Sequence, residues 1–263
     1  MAKEKSSAVV IKQNKIAEGI YDLTLETDLC RQARPGQFLS VFPKDGSMLL
    51  GRPISICEIL EDQGALRLVY RVAGKGTAEF SQLAAGDRVD ILGTLGNGFP
   101  IEEADGKNVI ITGGGIGIPP MLGSAQALVK RGLSASVTAV MGYRDELFLF
   151  DDIKKAVDEK AYAATEDGSF GVKGNVLDVI REKEIKGDII FACGPMPMLR
   201  ALKQYAAANK ITAFISLEER MACGVGACLG CVCKTTQKDE HSKVNNSRIC
   251  TDGPVYRADL VEI

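Results

Sequence analysis

Eight cysteines occur in the 263 residues, and three of them crowd into the segment Met221-Ala222-Cys223-Gly224-Val225-Gly226-Ala227-Cys228-Leu229-Gly230-Cys231. Cys223, Cys228 and Cys231 have C-x4-C-x2-C spacing, and eighteen residues separate Cys231 from Cys250. Thiols in that pattern, three close and one remote, ligate [2Fe–2S] clusters of the plant ferredoxin type. Gly224, Gly226 and Gly230 let the loop wrap closely enough for backbone N–H groups to point at anionic sulfur. A zinc knuckle with four thiolate ligands is the competing chemistry. It normally presents two separate C-x2–4-C pairs, so the crowding favours the cluster. Cys233 is left as a spare thiol, expected to point away from Cys231.

Two further segments point to nucleotide phosphates. Thr112-Gly113-Gly114-Gly115-Ile116-Gly117-Ile118-Pro119-Pro120 follows the apolar run Val109–Thr112 and opens a helical stretch from Pro120 to Lys130. Free N–H groups and the positive end of a helix there would face a phosphate. The run is not a strict G-x-G-x-x-G, because Ile118 stands at the third glycine position, and a glycine-rich turn without function is the alternative. Cys193-Gly194-Pro195 follows a second apolar strand, Ile189–Ala192. Ligands of open α/β sheets gather beyond the carboxyl ends of the strands, so both motifs line one crevice. Taken alone, Cys193 reads more readily as a small buried hydrophobe. Earlier in the chain, Arg52-Pro53-Ile54-Ser55 enters a strand, and Gly74-Lys75-Gly76-Thr77 leads into a short helix. An arginine beside a helix amino end would hold a pyrophosphate through charge-assisted bonds, although each segment by itself also fits an ordinary polar turn. Cys30 and Cys57 read as packing or surface residues.

The elements that must position these residues divide the chain in three. Residues 1–101 carry short β-rich runs separated by Pro-Gly and Gly turns: Val9–Ile11, Ile20–Leu25, Gln37–Phe42, Leu66–Val72 and Arg88–Leu92. They predict an antiparallel barrel or sandwich, interrupted by one helix over Ala78–Ala84 with Thr77 as its cap and Gly86 just past its end. Residues 102–213 alternate strands with helices, including the strand Val137–Met141, which predicts a parallel sheet with crossovers. Residues 214–263 form a cysteine-dense tail. No internal repeat or low-complexity segment is visible.

Composition removes several functions. Thirty-two Lys and Arg against 34 Asp and Glu leave a net charge of −2, so no broad basic field exists for nucleic acid. The single histidine, His241, lies in the polar run Lys238–Lys243, a poor setting for a Ser-His-Asp or Cys-His mechanism, and a histidine-rich metal site is impossible. Twenty-eight glycines suit close backbone approach to bound cofactors. The charged start is followed only by the apolar run Ala8–Ile11, and no stretch approaches the roughly 18 apolar residues of a spanning helix. The expectation is a cytoplasmic chain without a membrane segment, whose thiols stay reduced.

Together these segments resemble a known superfamily. The barrel with Arg52-Pro53-Ile54-Ser55, Tyr70-Arg71-Val72 and Gly76-Thr77 resembles the flavin domain of the ferredoxin–NADP reductases. Gly113–Gly117 with Cys193-Gly194-Pro195-Met196-Pro197-Met198 resembles their pyridine-nucleotide domain. The cysteine tail, with Glu218-Glu219-Arg220-Met221-Ala222-Cys223 and Cys250-Thr251-Asp252-Gly253-Pro254-Val255, is similar to one branch, the electron-transfer subunits of B-type, NAD-dependent dihydroorotate dehydrogenases. The resemblance implies an FAD-binding β-barrel domain (1–101), an NAD-binding α/β domain (102–213) and a small [2Fe–2S] domain (214–263). It implies that Arg52, Pro53, Ile54, Ser55, Val69, Tyr70, Arg71, Gly76 and Thr77 hold FAD. It also implies that Gly113, Gly114, Gly115, Gly117, Cys193, Gly194 and Pro195 face NAD, and that Cys223, Cys228, Cys231 and Cys250 ligate the cluster.

The implied activity is electron transfer from an FMN-containing catalytic subunit, which oxidises dihydroorotate, through the cluster and FAD to NAD+ in pyrimidine biosynthesis. The implied assembly is a two-plus-two heterotetramer, and no acid–base catalyst is required of this chain. Between Cys231 and Cys250 the insert carrying His241 is long for the family. Three alternatives stay open: a reductase subunit of a sulfide dehydrogenase or glutamate synthase-like complex, a reductase feeding an oxygenase, and a zinc-stabilised interaction protein. Gly142-Tyr143-Arg144-Asp145-Glu146 offers both an arginine for a 2′-phosphate and carboxylates for a ribose hydroxyl, and NAD is favoured because the family uses it.

Overall fold

Alternation of apolar and polar residues in the first hundred positions closes a six-stranded antiparallel barrel. The computed structural model describes residues 5–238 and 243–263; His241 lies outside them. The barrel strands are β1 (Lys5–Ala17), β2 (Ile20–Glu26), β3 (Phe38–Phe42), β4 (Arg52–Leu60), β5 (Ala65–Arg71) and β6 (Arg88–Leu95), with α1 (Lys75–Phe80) between the last two. Their order around the barrel is β1-β2-β5-β4-β3-β6. Leu23, Leu25, Leu39, Ile56, Leu66, Leu68 and Ile91 fill the interior. The helix departs from its expected span. It is capped by Gly74 and ends at Phe80, while Thr77 lies inside it, its hydroxyl accepting the Ala73 and Gly74 N–H groups at 2.9 and 3.2 Å.

The second half builds β7 (Asn108–Gly114), α2 (Pro119–Arg131), β8 (Ser136–Tyr143), α3 (Phe150–Ala156), β9 (Ala161–Thr165), β10 (Val172–Lys173), α4 (Val176–Glu182), β11 (Ile189–Cys193), α5 (Met196–Asn209) and β12 (Thr212–Ser216). The tail adds β13 (Val232–Lys234), β14 (Asn246–Arg248) and β15 (Val255–Arg257). Strands β7–β12 pair in parallel in the order β10-β9-β8-β7-β11-β12, and β15 closes the edge antiparallel to β12. The strand order reverses between β7 and β11, so a crevice opens beyond their carboxyl ends. The expected boundary between residues 213 and 214 falls within β12, and the tail is sewn into the nucleotide sheet through β15. Among the described residues no helix is long and apolar enough to cross a membrane.

Two contacts fix the barrel against the sheet. Helix α2 lies on β4 so closely that a Cβ on Gly123 would stand 2.7 Å from the Cys57 carbonyl oxygen. Beside it, Arg67 of β5 donates in bidentate fashion to Asp22 at 3.0 and 2.9 Å. The same guanidinium reaches Glu58 at 2.9 Å and, across the junction, Asp152 of α3 at 3.0 Å. One guanidinium with three half-buried or buried carboxylates is a directional clamp, since its planar fork fixes where each partner must sit.

Thr24 of β2 is fully buried, and its hydroxyl has no hydrogen-bond partner among the described residues. Thr24→Val removes the unsatisfied group at nearly constant volume and keeps a β-branched side chain. It is expected to stabilise the fold by about 1 kcal/mol, read as a rise in the denaturant midpoint at unchanged m-value.

Candidate functional site

The crevice at the sheet's carboxyl edge is a cleft of about 580 Å3, bounded on one side by the barrel and on the other by the loops after β7, β8, β9 and β11. The two glycine motifs meet there. A Cβ on Gly114 would stand 2.7 Å from the Met198 sulfur, and one on Gly117 would collide with the Cys193 carbonyl. Gly114, Gly115 and Pro195 line the cleft. Gly113, Gly117, Cys193 and Gly194 act one layer behind, as the close-packed backbone that lets the loops approach each other. The Cys193 thiol is buried against Ser216, and burial, reinforced by the Glu218 carboxylate, pushes it up to about 12. It is no nucleophile.

The barrel contributes Arg71, whose guanidinium comes within 3.8 Å of a Cβ position on Gly115 and lines the cleft. Glu218 lies within electrostatic reach of both Arg71 and Cys193. It is an exposed residue, yet desolvation by the protein around it raises its carboxyl above the ordinary range, with Arg71 pulling the other way. Arg52 and Gly76 are brought together, as a pyrophosphate site requires: a Cβ on Gly76 would stand 2.7 Å from the Arg52 Nε. The six-residue helix behind Gly76 supplies little dipole, so the positive charge there comes from Arg52.

The neighbouring expected residues divide. Pro53 is exposed and Ser55 half-buried on β4, whereas Ile54 points into the barrel core. Val69 packs between the barrel and the sheet. Tyr70 is spent on the barrel: its ring stacks on Tyr21 at 5.9 Å and its hydroxyl donates to Gln13 at 2.9 Å.

At the outer end of the cleft, acidic groups dominate. Asp145, Glu146, Glu166 and Glu18 line it with Arg144. Arg144 is paired with Asp145 at 3.3 Å, and Glu146 accepts the Glu18 N–H at 2.9 Å, another link between barrel and sheet.

The tail brings the four predicted thiols together as two pairs. Cys223 Sγ accepts the N–H groups of Cys228 and Val225 at 3.4 and 3.5 Å, and Cys231 Sγ accepts the Cys250 N–H at 3.4 Å. Burial opposes the Cys223 thiolate, but the donors from Val225, Cys228 and Ala227 outweigh it and bring the thiol down to about 6. Cys250 is pushed up to about 12 by burial and by the adjoining Cys231, and it also feels Cys223. Among the described residues no three His, Cys, Asp or Glu side chains gather tightly enough for one metal ion. Two thiol pairs, one receiving N–H donors at the exposed rim and one buried, would suit a binuclear cluster better than a single ion. Cys233 turns to Tyr256 instead. Two residues apart in one strand the thiols would share a face; they separate because β13 begins at Val232, leaving Cys231 in the loop before it.

Residues 218–262 match the family described as the iron-sulfur cluster binding domain of dihydroorotate dehydrogenase B. The chain is 42% identical over 252 residues to the dihydroorotate dehydrogenase B (NAD(+)) electron transfer subunit of Geobacillus thermodenitrificans (strain NG80-2), covering 95% of each chain. To the subunit of the same name from Bacillus caldolyticus it is 44% identical, again over 95% of both. This chain belongs to the family of dihydroorotate dehydrogenase B electron-transfer subunits.

Among solved structures, the NADH-dependent reduced ferredoxin–NADP oxidoreductase matches with a TM-score of 0.84 at 28% identity, over 97% of this chain and 89% of the other. Phthalate dioxygenase reductase shares the fold, with a TM-score of 0.63 at 17% identity and 94% coverage of both chains. Membership in the electron-transfer family gives the three clustered motifs one purpose. It also draws attention to residues whose roles the motifs do not give. Glu218 is the first residue of the matched segment, and only its place beside the cysteine run marks it in the sequence. Glu146 and Asn97 carry no sequence signal for their roles in joining the parts.

Removing thiols separately tests the ligand set. Cys233→Ala is expected to keep the visible absorbance of the cluster, and Cys250→Ala to lose it. Retention in the second variant with loss in the first would reassign the fourth ligand.

Proposed function

We propose that this chain accepts electrons from an FMN-containing dihydroorotate dehydrogenase catalytic subunit and delivers them to NAD+, as one of the four chains of a two-plus-two heterotetramer in the cytoplasm. The reaction serves pyrimidine biosynthesis. Cys223, Cys228, Cys231 and Cys250 would hold a [2Fe–2S] cluster; Arg52, Ser55, Arg71 and Gly76 would hold FAD; Gly114, Gly115 and Pro195 would face NAD. When bound, the flavin exchanges one or two electrons, whereas nicotinamide takes only a hydride and the cluster only single electrons, so the three groups together join a one-electron donor to a two-electron acceptor.

The residues of this chain bind and orient. Arg52 offers its guanidinium to the pyrophosphate with Gly76 leaving it room, and Arg71 presents positive charge where the barrel meets the glycine loop. Backbone N–H groups at Val225, Cys228 and Gly230 offset thiolate charge in the cluster loop. Dihydroorotate itself meets no residue here, which accounts for a chain that manages with one histidine. The observation that carries the reading is the two thiol pairs in a loop packed on the barrel, where Leu95 meets Gly224. Within the reductase superfamily, identity of 42% and 44% over 95% of the chain to dihydroorotate dehydrogenase B electron transfer subunits favours this branch, and Cys223 at the first ligand position argues against a sulfide dehydrogenase or glutamate synthase-like complex.

Anaerobic affinity purification from the native cells tests the assignment. A stoichiometric FMN-containing companion that reduces NAD+ with dihydroorotate only when both chains are present is expected. An oxygenase or a glutamate synthase-like companion would move the chemistry elsewhere.

Cofactor choice follows from charge. Four carboxylates against Arg144, itself paired, make the outer cleft repel a 2′-phosphate. NADH is expected to exceed NADPH in kcat/KM, and Glu166→Gln to narrow the ratio by about threefold to tenfold, on the order of 1 kcal/mol. Comparable kcat/KM for NADPH in the unaltered chain would overturn this.

A further inference from the structure

The strand that carries Ser55 and the loop that carries Cys250 are joined by a short, continuous run of hydrogen bonds. The Ile56 N–H donates to the Gln37 carbonyl at 2.9 Å, and the buried Gln37 side chain donates to the Gly96 carbonyl at 2.7 Å. The next residue, Asn97, then grips the turn that follows Cys250 with both its backbone and its side chain. Its N–H donates to the Gly253 carbonyl at 2.6 Å. Its amide nitrogen donates to the Asp252 and Val255 carbonyls at 3.0 and 2.9 Å, and its amide oxygen accepts the Val255 N–H at 3.0 Å. Four bonds from one residue satisfy donors and acceptors along the turn and on the open edge of β15, the outermost strand of its sheet.

The packing around this grip is equally close. A Cβ on Gly96 would stand 2.5 Å from the Pro254 ring, and Leu95 lies 3.2 Å from a Cβ position on Gly224, inside the cluster loop. The turn is stiff on its far side too: Asp252 pairs with Arg248 and also accepts the Arg248 N–H at 2.9 Å. Cys250, two residues before Asp252, is therefore held by a turn whose connection to the barrel runs through Asn97.

We infer that Asn97 is a positioning residue for electron passage, fixing the Cys250 side of the cluster loop against the flavin barrel. The inference rests on the cofactor assignments of the proposed function. Asn97 touches none of the four thiols, so it acts through the 252–255 turn alone. Its side chain is matched to that turn in a way few others are. Alanine loses all three side-chain bonds. Aspartate keeps the acceptor for the Val255 N–H and turns its second oxygen on two carbonyls.

The test uses the full chain loaded with flavin and cluster, mixed anaerobically with NADH and followed separately at flavin and cluster wavelengths. In Asn97→Ala the flavin is expected to be reduced within about twofold of the unaltered rate, while cluster reduction slows about tenfold or more, because transfer depends steeply on how the two groups are placed. Asn97→Asp is expected to fall between. Two readouts do not depend on turnover. The electron paramagnetic resonance spectrum of the reduced cluster is expected to be unchanged, showing four intact ligands, and amide hydrogen exchange is expected to accelerate at residues 252–255. If Asn97→Ala fails to retain its cluster, Asn97→Asp decides.

An unchanged cluster rate in a variant that retains its cluster overturns the inference, as does equal slowing of both phases. A different failure belongs to the functional reading: an unaltered chain that holds no flavin or no cluster, or whose flavin NADH does not reduce.

Discussion

Backbone meeting backbone without an intervening Cβ is the constraint on which the rest of this structure depends. At Gly117 the glycine loop lies against the Cys193 carbonyl, and at Gly123 helix α2 lies against the Cys57 carbonyl. The first contact closes the floor of the nucleotide cleft. The second fixes the barrel's height above it. Any side chain at either point would push a whole element outward, and the distance between flavin and nucleotide sites would change with it. Charge then fixes direction: Arg67 holds Asp22, Glu58 and Asp152 across the same junction.

The electrostatics follow from this packing. Positive charge and N–H donors stand at the motifs: Arg52 beside Gly76, Arg71 at the glycine loop and backbone N–H groups around Cys223. Acidic groups stand at the outer cleft, where an extra phosphate would discriminate one nicotinamide cofactor from the other. Glu218 lies within electrostatic reach of both Arg71 of the barrel and Cys193 of the sheet.

Much of the site was legible in the sequence because its chemistry is local. Cysteine spacing within nine residues, a glycine run after an apolar strand, and Cys193-Gly194-Pro195 after another each report on a few consecutive positions. The barrel strands and the switch-point crevice followed from hydrophobic period and glycine placement. Residues whose role is set by distant partners were illegible. Tyr70 stands between Val69 and Arg71 in a flavin-like motif, yet pairing with Tyr21 and Gln13 turns it into the core. Thr77 has the residue type of a cap but lies in the helix's first turn, since Gly74 begins it. The tail's boundary was blurred because β15 returns to the sheet from beyond the cysteines, a pairing visible only once β12 is in place. Asn97 and Glu146 join parts of the chain that no window of sequence contains together.

The account's central claim is that one chain holds a two-electron flavin and a one-electron cluster in communication. Anaerobic reductive titration of the purified holo chain with NADH, counting equivalents by absorbance, measures this most directly. A flavin takes two electrons and a [2Fe–2S] cluster one, so the account predicts uptake of about three electrons per chain, with both chromophores bleached. Saturation at about two, with the cluster absorbance untouched, would contradict it.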